Sequence, residues 1–134
     1  QDINHFRCFG GAMDCASIDK EGIQPFFTTA KYMYEQTCEP KYLDYARKAA
    51  WYFASWLYIH NPIYKATDDL TVFNWKPAGA NIVGIEHPAV DEYGALLLSE
   101  YIWLSKIDNE PIWREVAELI WRNGTQGFAL PGSL

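Results

Sequence analysis

The chain has 134 residues, 49% of them hydrophobic and 21% charged, with a formal charge of −6. That length suits one domain, and so much apolar surface excludes intrinsic disorder. Lys and Arg are scattered, so no basic stripe tracks phosphates, and no apolar run approaches the roughly 20 residues of a membrane span; neither a nucleic acid nor a membrane is expected as a partner.

In chain order, residues 1–18 read as irregular, with Phe6, Phe9 and Met13 around Cys8 and Cys15. With Cys38 the cysteines number three, which excludes a fully paired disulfide set, and their spacing matches no common zinc knuckle. They read as buried or partly buried thiols. Neither they nor the sequon at Asn123 constrain the compartment. From Ile23 the apolar residues Phe26, Phe27, Ala30, Met33 and Tyr34 keep to one helical face. Pro25 suits the first turn, and the helix should stop near Thr37.

A second helix is expected from Glu39-Pro40 to about Ile59. One stripe is Leu43, Ala46, Ala50, Phe53 and Leu57; another is Tyr42, Tyr45, Ala49, Tyr52, Trp56 and Ile59. A helix apolar on two faces needs neighbours on both sides. Residues 60–90 then form a connection far longer than helix joints need, rich in Trp, Phe and Tyr, with a short extended piece at 81–85. A third helix is expected near Asp91, with Tyr93, Leu97, Tyr101 and Leu104 among its many apolar residues. The fourth starts at Pro111, buries Trp113, Val116, Ala117 and Ile120, and ends at Asn123-Gly124, where glycine suits a left-handed cap.

The turn Thr37-Cys38-Glu39-Pro40 reappears as Asp108-Asn109-Glu110-Pro111, at an offset of 71 residues (110 − 39). An aromatic follows each Pro by two positions, and Ala46/Ala117 stay in step. Two helical hairpins are therefore expected, at about 19–59 and 91–123, in one domain or fragment spanning 1–134. Units of a repeat cannot bury their own faces alone, so further hairpins of a longer chain, or copies of this one, are expected to cover them.

Four segments carry a resemblance. They are Ile18-Asp19-Lys20-Glu21-Gly22, the turn Thr37-Cys38-Glu39-Pro40-Lys41-Tyr42-Leu43, the helix from Tyr45 to Phe53, and Gly84-Ile85-Glu86-His87-Pro88-Ala89-Val90-Asp91-Glu92-Tyr93-Gly94. Together they resemble the (α/α)-toroid carbohydrate-active enzymes, or six-hairpin glycosidases, over residues 18–123 and about a third of a ring. A glycine frequent at that family's hairpin turn is replaced by Cys38. The resemblance implies an all-α fold of antiparallel helical hairpins, a partial toroid, with its active site on the loops at the open end. It also implies a glycoside hydrolase acting on an oligo- or polysaccharide through two carboxyl groups. The carboxylates on the segments that the resemblance places at the open end are Asp14, Asp19, Glu21, Glu86, Asp91 and Glu92. Asp91 and Asp19 are favoured as catalytic, with Glu86 and Glu21 behind them, although an Asp at a helix start also serves as a cap.

His87, Trp75, Tyr93 and Asp14 are the expected substrate contacts, Trp75 as a stacking platform unless it anchors its loop. His87 precedes Asp91 by four residues, but Pro88 breaks a helix through them, so a metal pair is not expected. No phosphate loop, dinucleotide fingerprint or zinc motif is present, and no cofactor is expected. A toroid epimerase or lyase using His87 or Tyr93 as proton carrier is the alternative, as is a non-catalytic helical module. Six carboxylates against one histidine favour hydrolysis. The isolated chain is expected to be inactive, its site completed by other hairpins.

Overall fold

The computed structural model describes residues 3–5, 7, 18–85 and 89–126. After a 3-10 turn at Ile3–His5 come α1 (Ile23–Thr37), α2 (Pro40–Ala54), a short α3 (Asp69–Val72), β1 (Asn81–Ile82) and β2 (Val90–Asp91). A 3-10 turn at Tyr93–Leu97 leads into α4 (Leu98–Asp108) and α5 (Pro111–Gly124). The chain is mainly helical. Among the described residues there is one small sheet, antiparallel, pairing Asn81 with Asp91 and Ile82 with Val90.

Both hairpins close through the same backbone device. Cys38 (φ 55°) and Asn109 (φ 54°) are left-handed caps, each followed by an extended Glu and a Pro in the first helical turn. The 71-residue offset therefore holds in conformation as well as in residue type. Cys38 tolerates a geometry that glycine takes freely, at a cost of about 1 kcal/mol, and its N–H donates to Tyr34 O at 2.8 Å.

Ala46, Ala49 and Ala50 let α2 close on Ile23, Phe27 and Ala30 of α1, with Phe53 sealing one end. The two hairpins meet through aromatic rings: Phe27 edge-on to Tyr101 at 5.5 Å, Tyr34 to Trp103 at 6.0 Å, and Trp51 to Trp113 at 4.9 Å. Tyr101 is wholly enclosed, its hydroxyl donating to Ala50 O at 2.7 Å, and burial pushes its phenol well above the usual range. At the rim of this contact Arg47 reaches Asp108 at 2.6 Å, and Trp113 Nε1 donates to the same carboxylate at 3.0 Å.

Three expectations are corrected. Helix α2 stops at Ala54, short of Ile59, because the backbone of 56–58 pairs with the returning chain. Tyr58 N–H donates to Ala80 O (2.9 Å), Gly79 N–H to Tyr58 O (2.8 Å) and Ile82 N–H to Trp56 O (3.1 Å). No α-helix begins at Asp91, which lies in β2; the 3-10 turn intervenes before Leu98. Helix α5 runs through Gly124 with right-handed geometry after it, so Asn123-Gly124 is no left-handed cap, and Asn123 is buried.

The long connection is pressed against α5. At Gly79 (φ 96°) a Cβ would sit 2.1 Å from Leu119 O, so only glycine fits. Lys76 O accepts from Asn123 Nδ2 and Gln126 Nε2, both at 2.8 Å. Among the described residues no helix is long and apolar enough to cross a membrane.

Candidate functional site

Three segments converge where the hairpins are joined: residues 19–21 before α1, the strand β1 with its extension to Gly84, and β2 with the turn after it. Asp19 bridges antiparallel to Gly84, and Tyr52 Oη donates to Asp19 O at 2.9 Å. These contacts set Lys20 inside the fold. Its side chain is fully enclosed, with Nζ 2.7 Å from Asp91 Oδ2, 4.0 Å from Glu21 Oε1 and 4.5 Å from the centre of the Tyr93 ring. A buried ammonium is tolerated only when so paired.

Asp91 is saturated. Its Oδ1 accepts from Asn81 Nδ2 and from Tyr93 N–H (3.1 Å), while Oδ2 takes Lys20. Asn81, itself buried, accepts from Gly94 N–H at 3.0 Å. The Asp91 side chain is 17% exposed. Asp19 behaves alike on a smaller scale, Oδ1 accepting from Glu21 N–H. Each of the two favoured aspartates thus accepts from the N–H two residues on, which fixes a turn rather than capping an α-helix.

Beside this cluster lies a groove of about 580 Å³, lined by Leu70, Trp75, Val90, Glu92 and Tyr93. A neighbouring groove of about 840 Å³ shares Leu70 and Trp75 and continues past Phe73 and Lys76 to Arg122. Trp75 stands half-buried as a wall between them, its backbone N–H donating to Leu70 O at 2.9 Å. Tyr93 is exposed, and Gln24 Nε2 donates to its carbonyl at 3.2 Å. Glu92 is exposed, does not cap the turn that follows it, and has no side-chain hydrogen bond or ion pair among the described residues.

Of the residues singled out from the sequence, Asp19, Glu21, Asp91 and Tyr93 come together around Lys20. Trp75 joins Tyr93 across the smaller groove. Glu86, His87 and Asp14 lie outside the described residues, as do Cys8 and Cys15; Cys38 is exposed. Lys20 and Asn81 were not singled out. The one signal was the repeat itself, because Lys20 and Asp91 occupy equivalent positions (91 − 20 = 71) with opposite charge. Among the described residues no three His, Cys, Asp or Glu side chains gather as a metal site. No protein-family model, no curated protein and no solved structure matches the chain.

Proposed function

We propose that this chain is part of an (α/α)-toroid glycoside hydrolase, that the groove between Trp75 and Tyr93 receives a sugar ring, and that Glu92 is its acid/base carboxyl. The observation that carries the reading is one groove lined by two aromatic side chains and a carboxylate that no side-chain hydrogen bond or ion pair engages among the described residues. Aromatic faces cover the apolar C–H face of a sugar and leave its hydroxyls to polar groups at the rim. Cleavage of a glycosidic bond needs a second carboxyl, as base or nucleophile. In this reading it comes from Glu86, on the β1–β2 connection.

Asp91 and Asp19 then act as positioning residues. With both oxygens engaged, Asp91 fixes the turn that carries Glu92 and Tyr93, and Asp19 fixes the chain around Lys20. A toroid lyase or epimerase is favoured by one feature, Tyr93 on the groove as a proton carrier, its ring against the Lys20 ammonium. Product analysis separates the readings, since hydrolysis adds water and leaves two saturated fragments, lyase action leaves one unsaturated fragment, and epimerisation cleaves no glycosidic bond.

The experiment is saturation-transfer NMR of this chain with a panel of oligosaccharides. Transfer to a bound sugar is expected, with Trp75→Ala weakening it about tenfold, the equivalent of one stacked ring. Glu92→Gln should bind as well as the wild type, while abolishing turnover in a protein carrying the complete ring. No bound saccharide, or unchanged binding by Trp75→Ala, overturns the proposal.

A further inference from the structure

The two hairpins keep step in their packing as well as in their turns. Helix α4, joined by Trp113 of α5, covers one face of α1 and α2. There Phe27 meets Tyr101, Tyr34 meets Trp103, Thr28 Oγ1 donates to Glu100 at 3.0 Å, and Arg47 pairs with Asp108. Ala50 O accepts the Tyr101 hydroxyl. Advancing these five hairpin-1 residues by 71 positions gives Leu98, Ser105, Ser99, Glu118 and Trp121. All five line an open groove of about 660 Å³ between α4 and α5, together with Ile102. The second hairpin therefore leaves open the face that the first has covered.

The opposite side shows the converse. Hairpin 2 enters the contact with Trp103 and Trp113. Moving these back by 71 positions gives Tyr32 and Tyr42, aromatics again, on hairpin 1, while the counterpart of Tyr101 is the buried Ala30. Tyr32 is 59% exposed and Trp121 58%. The chain thus carries a socket on α4/α5 and, in Tyr32 and Tyr42 on α1/α2, the counterparts of the two indoles that enter the contact inside the chain.

We propose that the groove between α4 and α5 receives the α1/α2 hairpin of a second copy, in the relation that α4/α5 already bears to α1/α2. The interface is continuous with the one inside the chain, and burying Trp121, Ile102 and Tyr32 supplies its hydrophobic drive. Socket and plug are different surfaces, so the contact is heterologous: every bound copy leaves one socket and one plug free for the next. The residues that test this proposal are separate from those of the saccharide reading, because neither Trp121 nor Tyr32 lines the grooves beside Trp75.

Sedimentation velocity on wild type, Trp121→Glu and Tyr32→Glu tests it, with circular dichroism to establish that helicity is kept. The wild type should rise with concentration past twice the 15.4 kDa of one chain. Each variant alone should stay at one chain mass, because every copy then lacks either its socket or its plug. An equimolar mixture should form a pair of twice the chain mass and stop there, joining the intact plug of Trp121→Glu to the intact socket of Tyr32→Glu. A wild type that stays monomeric, a variant that associates as the wild type does, or a mixture that fails to pair overturns the proposal. Should Trp121→Glu lose helicity, Ile102→Lys carries the same test.

Discussion

Replacing Asp91 by Asn probes the junction most directly. The change is nearly isosteric, yet neither orientation of the amide works. With its oxygen toward Asn81 Nδ2 and Tyr93 N–H, the new NH2 faces the Lys20 ammonium; flipped, it faces those two donors. Lys20 is fully enclosed, and the next carboxylate, Glu21, is 4.0 Å away and substantially exposed. Breaking a buried ion pair costs about 3–5 kcal/mol. The lower end applies, because Asp91 is 17% exposed and the Tyr93 ring stays against the ammonium. The expected loss is about 3 kcal/mol, or about 12 °C in melting temperature for a chain of this size. Urea denaturation followed by circular dichroism should give a lower midpoint at unchanged slope. Adding Lys20→Met removes the stranded charge, so the double variant should be less destabilised than the sum of the two singles by at least about 1 kcal/mol. An Asp91→Asn protein within about 0.5 kcal/mol of the wild type would refute the account of Asp91 as the anchor of this junction.

The hydrogen bonds from Arg47, aided by Trp113 against the opposing effect of burial, hold the Asp108 carboxyl below its usual range. A depressed carboxyl stabilises the fold above its unfolded value, and that contribution fades as pH falls through the folded one. Asp108→Asn should therefore be about 1 kcal/mol less stable at pH 7, allowing for solvent around the partly exposed Arg47, with the gap closing below about pH 4; a gap independent of pH in urea titrations would count against it. Gly79→Ala should lose at least about 2 kcal/mol, since its Cβ would strike the Leu119 carbonyl and its φ is positive, and an unchanged melting temperature would contradict the docking of the long connection on α5. Above about pH 10 the unfolded chain's Tyr101 phenol ionises while the enclosed one does not, so stability should decline there, and Tyr101→Phe should flatten that decline in the same titration.

The helices and their turns were legible because their causes are local. The 3.6-residue spacing from Ile23 onward, the first-turn prolines Pro40 and Pro111, and the repeated Glu-Pro turn each act within a few residues, and α1 and α5 run where that pattern places them. The end of α2 was not legible. Trp56 and Ile59 continue the apolar stripe, but their segment leaves the helix to hydrogen-bond with the chain near Ala80. Asp91 was found for its place in a motif, while the only trace of its partner Lys20 was the 71-residue offset between them, which by itself says nothing of contact.

What the sequence determined by itself is therefore the pair of hairpins, their offset and the place of their turns, since backbone preference and apolar spacing are properties of neighbouring residues. Tertiary structure alone decided which carboxylate is consumed by the fold and which faces a groove. Asp91 and Glu92 are adjacent and chemically alike, yet one meets a buried ammonium and the other does not. Electrostatic pairing acts over a few ångströms of space, and the segments that supply Lys20, Asn81 and Trp75 reach those distances only after the long connection has folded back on α5.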